Sequence, residues 1–590
     1  MIHRLIVKQC FVIFLIFLSF KANAQIIDNI EVKGSSDFSQ SDYTNWINLK
    51  NKKYFESVKD TVVKRISLNL KQNGYFNFQI DSVLTKISAD TQKVGISVYL
   101  NEENPTIVNS ISIQNLDSVE QKSVYQKFEL LLNSPFIIGE FENTFADLLT
   151  EFENNGFPFA SINIKSLFFY YDSTEQENLV DVSLNFSKNE ISTIDTIIVQ
   201  GNSKTKNYVI TRELRIEKGE TYNQEKMDEI PDKLNRLRFF EQVQNPKFFF
   251  NSQNKGVLQI DVNEINTNSF DGVLGYIPAT NDKEDGYFTG LANINLRNLL
   301  GTGRALSFKW SKLDKNSQEL EVKYLEPWVL DLPINVGLML FQRQQDTTYI
   351  QRILNTNIEF LATESFSSAL IFSQEYTIPT NPEVRGFTVF NSISTNSGVN
   401  FKYDSRDDIF VPTKGFYFLN TYKYSAKKII GPEIFVTEKT NKNPDQFKVE
   451  FDLFLFKSIF TRHIPFVSLH LRELRGDDIE ISDMYRFGGN NTLRGYQENQ
   501  FTGNRLLWTN VEYRYLLGRR SYVFLFTDIA YYKRNEISAI NLTEFSATKI
   551  GYGAGITFET ALGMLAVSYA IAQGDAFNKG KIHFGLIGEF

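Results

Sequence analysis

The sequence predicts two architectures in one chain: a series of small α+β repeats, then an all-β, sixteen-stranded antiparallel transmembrane barrel. Three observations predict it. Residues 25–266 repeat loosely, with a period of roughly 80–86 residues. From about residue 268 the helical period gives way to two-residue alternation in segments of about ten residues, the pattern of barrel strands in a membrane. The 590 residues carry 52 Phe and 27 Tyr but only 5 Met and 4 Trp, with no succession of apolar runs of about 20 residues such as a helical membrane protein needs. A net charge of −7 gives no reason to expect nucleic-acid binding.

The one long apolar run is at the start and reads as a secretory signal. His3, Arg4 and Lys8 supply its basic region, residues 11–20 its core, and Ala22-Asn23-Ala24 a small-residue cleavage site, so the mature chain is expected to begin at Gln25. A retained membrane anchor is the alternative. The single cysteine, Cys10, lies inside the signal, so the mature chain has no thiol for disulfides or metal.

Each repeat opens on a short strand: Ile30-Glu31-Val32-Lys33-Gly34, Ile111-Ser112-Ile113-Gln114-Asn115, and Ile197-Ile198-Val199-Gln200-Gly201-Asn202. An amphipathic helical pattern follows, with Val62, Ile66, Leu68 and Leu70 in the first unit, Leu148 and Phe152 in the second, and Leu234 and Leu237 in the third. An aromatic turn comes next, at Asn73-Gly74-Tyr75, Asn155-Gly156-Phe157 and Arg238-Phe239-Phe240, and then two alternating strands. A generic α+β repeat without a binding role fits the same pattern. A three-stranded sheet leaves an open edge, however, and such an edge accepts an extended segment of another chain.

The barrel segments fall near 268–277, 287–296, 303–312, 317–326, 333–344, 347–361, 365–377, 391–404, 415–426, 445–457, 463–474, 504–515, 521–532, 547–559, 562–572 and 580–590. Phe447, Val449, Phe451, Leu453 and Leu455 point one way while Lys448, Glu450 and Asp452 point the other. In lipid every backbone N–H and C=O needs a partner, so the sheet is expected to close. An even strand count puts both chain ends on one side, and the longer connections at 277–286, 425–445 and 533–549 then face outward.

A polar, Gly-rich loop of about 30 residues joins the eleventh and twelfth segments, and loops of that length without secondary structure are usually functional. It contains Arg486-Phe487-Gly488-Gly489-Asn490-Asn491-Thr492-Leu493-Arg494-Gly495-Tyr496.

These features resemble known families. The repeats are similar to POTRA domains, the third best of all, through Val199-Gln200-Gly201-Asn202 and Ile210-Thr211-Arg212-Glu213-Leu214. Gly488, Gly489 and then Leu493-Arg494-Gly495-Tyr496 resemble the V/I-R-G-F/Y loop of the BamA/TamA superfamily of outer-membrane assembly proteins. Asp404, Arg406, Asp407, Pro412 and Gly415 look like its D-x-R-D-x4-P-x-x-G turn after strand 8, and Asn298-Leu299-Leu300-Gly301-Thr302-Gly303 like its turn between strands 2 and 3. The resemblance divides the chain into a signal at 1–24, POTRA-like repeats at 25–105, 106–192 and 193–266, and an outer-membrane barrel at 267–590. Three repeats look more like the TamA branch than a five-repeat BamA.

The resemblance implies that the loop folds into the lumen and that Arg494 pairs with Asp528 and Glu512. It implies a recognition pattern in the last strand, carried by Gly585 and Phe590, although Gly588 stands where a bulky apolar residue is usual. It implies no cofactor, and it implies periplasmic repeats that capture unfolded outer-membrane or secreted clients, accessory proteins beside them, and client insertion into the bilayer through a seam between first and last strands. A secretion pore for one dedicated partner and a passive channel plugged by its loop are the alternatives.

Signs of catalysis are absent. His3, His463, His470 and His583 form no pair at metal-ligand spacing, and there is no G-x-S-x-G elbow. Gly551-Tyr552-Gly553-Ala554-Gly555 has no helix after it and reads as strand glycine rather than a dinucleotide loop. The chain is not expected to be an enzyme.

Overall fold

The structure, a computed structural model, describes residues 25–587 apart from residues 89–91, 279–284, 313, 381–388, 437, 439, 538–541 and 561–562. The expected signal at 1–24, Gly588 and Phe590 lie outside the described residues. Two compact units emerge, one running to Asp195 and including Gly219–Lys226, the other formed by Thr196–Lys218 and Met227 onward.

The first unit holds two repeats. In the first, β1 (Ile26–Lys33), α1 (Gln40–Ile47), α2 (Val58–Gln72), β2 (Gln79–Ile87) and β3 (Lys93–Asn101) give a three-stranded sheet in the order β1-β3-β2 under two helices. Ser39 starts α1: its hydroxyl accepts from the Asp42 amide while the Asp42 carboxylate accepts from the Ser39 amide. Val62, Ile66 and Leu70 are fully buried, each contributing roughly 1.5–3 kcal/mol. Leu68, expected on the same face, is 55% exposed. At 100° per residue, two steps from Ile66 and from Leu70 carry it to the opposite side of the helix.

The second repeat repeats that order with β4 (Thr106–Gln114), α3 (Ser118–Phe128), α4 (Ile138–Asn154), β5 (Ser161–Asp172) and β6 (Glu177–Ser187), sheet order β4-β6-β5. Phe128, Val180 and Leu184 lie at the centre of its core.

The third repeat consists of β7 (Thr196–Gln200), α5 (Asn207–Leu214), α6 (Gln224–Leu237), β8 (Lys247–Phe250) and β9 (Gly256–Asp261), with β9 central, and all but the first residues of α6 belong to the second unit. Here a carboxylate ties the strand-to-helix loop down. Glu264 accepts from the amides of Ser203 (3.0 Å), Lys204 (2.9 Å) and Thr205 (2.6 Å). Glu102 does the same in the first repeat, accepting from the amides of Ser36 (2.8 Å) and Asp37 (2.7 Å).

Sixteen antiparallel strands follow in sequence order: β10 (Asn268–Ile277), β11 (Tyr287–Leu299), β12 (Arg304–Lys312), β13 (Gln318–Glu326), β14 (Ile334–Gln345), β15 (Tyr349–Leu361), β16 (Phe366–Pro379), β17 (Asn391–Asp404), β18 (Gly415–Gly431), β19 (Asp445–Phe456), β20 (His463–Gly476), β21 (Arg505–Gly518), β22 (Ser521–Arg534), β23 (Phe545–Thr560), β24 (Gly563–Ala572) and β25 (Lys581–Ile587). The faces alternate sharply: Leu525 is 65% exposed, while its neighbours Phe524 and Phe526 are 5% and 4% exposed. An outer wall of exposed Phe270, Leu274, Leu525 and Phe584 is a surface for lipid, not water.

The expectation of a closed sheet is corrected at one place. Among the described residues β10 and β25 are not hydrogen-bonded to each other, and the pairing runs as an open order from β10 to β25. Among the described residues the final strand pairs with β24 over seven residues, from Lys581 to Ile587.

The third repeat is seated on the turns at one end of this sheet. The Lys206 amide donates to Gly301 O (2.9 Å) and Asn298 Nδ2 to Thr205 Oγ1 (2.7 Å). Trp328 Nε1 donates to Glu213 (2.8 Å). The Asn298–Gly303 turn, noted above for its sequence, thus meets the loop that Glu264 holds.

Candidate functional site

The loop between β20 and β21 is not without secondary structure, which corrects the sequence reading: Tyr485–Phe487 and Phe501–Gly503 pair as a small hairpin. Beyond it the chain turns at Gly488 and Gly489, both at positive φ, and the Gly488 amide donates to Thr492 Oγ1 (2.8 Å). Leu493 is fully buried, in a cluster with Phe487, Tyr496, Trp508 and Tyr532. Tyr496 Oη donates to Ile550 O (3.2 Å). Apolar anchors on both sides therefore set Arg494 against the inner wall.

Arg494 makes four hydrogen bonds there. Its amide and Nε donate to Asp528 Oδ2 (3.0 and 2.8 Å), Nη2 to Asp528 Oδ1 (2.7 Å), and Nη1 to Glu512 Oε1 (2.7 Å). The other Glu512 oxygen accepts from Arg514 Nε (2.8 Å). The Arg494, Glu512 and Asp528 side chains are 7%, 8% and 0% exposed. The guanidinium lies over the Phe526 ring at 3.6 Å. Buried ion pairs of this kind add little to net stability when complete, because desolvation offsets attraction, but they fix one geometry. Arginine suits the task because it stays charged and forks onto carboxylates.

A glycine row on β23 makes room for this arrangement. Gly551, Gly553 and Gly555 stand directly opposite Asp528, Phe526 and Phe524 on β22. A Cβ would lie 1.9 Å from Arg494 O at Gly551, 2.9 Å from Phe526 Cζ at Gly553, and 2.5 Å from Phe524 Cζ at Gly555. From sequence alone these read as ordinary strand glycines. Their spacing of two, on one face, is the signal that something presses against that face.

The backbone of Gly495 reaches the last strand. Its amide donates to His583 Nε2 (3.0 Å), and its carbonyl accepts from Lys581 Nζ (2.8 Å). The acceptor role assigns the proton of a neutral His583 ring to Nδ1. Gly495 has φ +94, and a Cβ there would lie 2.9 Å from Ala572 N. Asn490 lies over Gly585, where a Cβ would meet Asn490 Nδ2 at 2.2 Å. The sequence placed neither Lys581 nor His583 against the loop, because it carries no local sign of a contact 86 or 88 residues away.

A second ion cluster, also missed, holds the start of the loop. Lys427 donates to Asp483 (2.8 Å) and Glu480 (2.5 Å), with its side chain fully buried. The site joins the sequence-predicted Gly488, Gly489, Leu493, Arg494, Gly495, Tyr496, Glu512, Asp528 and Gly585. The Asp404–Gly415 turn lies apart from it in sequence, and Arg406 there forks onto Asp404 (2.8 and 2.8 Å). Among the described residues no group of His, Cys, Asp or Glu is placed to hold a metal ion.

Comparison with known proteins adds three findings. Residues 298–590 match the Omp85 superfamily domain, and residues 192–264 match the surface antigen variable number repeat, the POTRA model. The chain is 24% identical over 385 residues to outer membrane protein assembly factor BamA of Nitratidesulfovibrio vulgaris, covering 61% of this chain and 45% of that protein. It is 24% identical over 224 residues to BamA of Buchnera aphidicola, covering 36% of each. The chain thus spans less than half the length of these curated relatives. The crystal structure of BamA from Haemophilus ducreyi lacking POTRA domains 1–3 shares the fold, with a TM-score of 0.50 at 14% identity over 81% of this chain and 98% of that one.

Proposed function

We propose that this chain, which carries an Omp85 superfamily domain behind a POTRA repeat and resides in the outer membrane with its repeats in the periplasm, is an outer-membrane protein assembly factor. The observation that carries the reading is the pair of terminal barrel strands. β10 and β25 each leave one edge without a partner strand among the described residues, and the Arg494 loop clasps the second of them from inside. An unpaired strand edge templates the hydrogen bonds of an incoming strand, so that no bare backbone meets lipid.

Capture begins in the periplasm. In each repeat the central strand is flanked by two edge strands, and β5 is the longest of these, with 12 residues. Its Phe168 and Tyr171 are 64% and 60% exposed, which suits an extended, apolar client segment adding to that edge. The client then passes to the seam, with no nucleotide required. Arg494, Asp528 and Glu512 position the loop in this scheme; they do no chemistry.

Cysteine pairs placed along β10 and β25 and crosslinked across the seam test the reading. Locked barrels are expected to lose client insertion in reconstituted vesicles, and recovery on reduction makes the loss specific. Unimpaired insertion through a locked seam refutes it.

A further inference from the structure

The turn between β17 and β18 is built more rigidly than a connection requires. Asp408 accepts from the amides of Phe410 (2.7 Å) and Val411 (3.0 Å), and Asp407 from those of Thr413 (2.8 Å) and Lys414 (3.2 Å). Gly415 closes it at φ +96, where a Cβ would lie 2.2 Å from Ser405 O. Pro412 fixes the backbone after the tip. These residues, which the assembly reading leaves without a task, hold up the apolar run Ile409-Phe410-Val411, and two of its side chains, Phe410 and Val411, make the contacts that follow.

The two side chains share one aromatic partner in the barrel, and Phe410 alone also meets the repeat. Val411 is 2% exposed and packs in a cluster with Tyr522, Phe524 and Phe526. Phe524 and Phe526 are the rings beneath the Arg494 guanidinium, at 5.6 and 3.6 Å. Phe410 lies under the guanidinium of Arg238 at 3.6 Å, and Arg238 belongs to the aromatic turn of the third repeat. Phe410 packs against the Val411 cluster as well, so one short tip joins Arg238 of the repeat to the aromatic cluster that contains the seat of Arg494.

We infer that Phe410–Val411 is a positioning element coupling the third repeat to the lumen loop: a repeat seated on Phe410 holds Val411 against the rings that carry Arg494. Close-packed contacts transmit displacement because no slack separates them. A repeat drawn away by its client lifts the tip, loosens that seat, and frees the loop from the wall. The coupling belongs to the barrel and its repeat whatever the client is.

Amide hydrogen exchange at residues 492–496, read by mass spectrometry on the full chain in lipid nanodiscs, tests this. Arg238 lies in the third repeat, outside the sixteen barrel strands. Arg238→Ala is expected to raise exchange at residues 492–496 on the order of tenfold, the scale of a desolvated cation–π contact. Phe410→Leu, which keeps an apolar side chain, gives a similar rise, and the double variant rises no further than the larger single effect. Arg238→Lys retains most of the protection. Lys247→Ala, which removes a surface ion pair of the same repeat, leaves exchange unchanged. Exchange within about twofold of wild type in Arg238→Ala, while Asp528→Asn raises it in the same preparation, overturns the inference. So does a double variant whose effect is the product of the two singles, because the contacts are then independent.

Discussion

Replacing Asp528 by Asn tests whether the lumen loop is held by charge or only by shape. Three of the four hydrogen bonds of Arg494 end on this carboxylate, which is fully buried. The amide of Asn has one acceptor oxygen and turns a donor toward a guanidinium that is itself all donors. Arg494 then has Glu512 as its remaining carboxylate, and that is shared with Arg514. Breaking a buried pair from one side costs about 3–5 kcal/mol. Arg494→Ala strands Asp528 in the same way and is expected to cost as much. The double variant removes both charges together, so the effects should not add: a coupling of about 2–4 kcal/mol is expected. Urea unfolding of the folded barrel in lipid vesicles, followed by the fluorescence of Trp508 in the adjacent cluster, reads all four corners of the cycle. A coupling below about 0.5 kcal/mol refutes the argument, because charge pairing would then not be what holds the loop.

Two further outcomes follow from other parts of the chain. Gly551→Ala places a methyl 1.9 Å from Arg494 O and is expected to displace the loop and raise its hydrogen exchange, while Gly518→Ala, with open space around it, changes nothing. Burial works to raise the Glu264 carboxyl, but donation from Thr205, Lys204 and Ser203 outweighs it and holds the group down from 4.5 to about 2. Its stabilisation of the third repeat is thus fully present above about pH 4.5 and is lost as pH falls through about 2. Denaturant titrations of wild type and Glu264→Gln should differ at neutral pH and converge in acid; a difference that persists at pH 2 counts against the clamp.

The barrel was legible because a two-residue period over about ten residues is a strong signal, and each of the sixteen segments lies within a few residues of an observed strand. The loop arginine and its acids were readable only through the resemblance of Leu493-Arg494-Gly495-Tyr496 to the BamA/TamA loop, which implied Asp528 and Glu512 as partners. What sequence could not supply was register. Gly553 facing Phe526 and Gly555 facing Phe524 become meaningful only once β22 and β23 are aligned. The Gly495 contacts with Lys581 and His583 likewise join parts of the chain that no local pattern connects. Leu68 was misplaced by a helical count that included an i+2 position. The open order from β10 to β25 among the described residues went against the general requirement of closure, which is strict for backbone facing lipid. The tip at Phe410 and Val411 did leave a trace: the apolar run Ile409-Phe410-Val411 inside a turn otherwise rich in charge.

The directions of the two terminal strands carry a counting rule. Sixteen alternating strands leave β10 and β25 running in opposite senses. A guest sheet that bridges them with antiparallel neighbours on both sides must begin and end in opposite senses too, so it must contain an even number of strands. Under the proposed function, a guest that bridges both edges is therefore built of whole hairpins, a rule set by strand direction and not by any side chain.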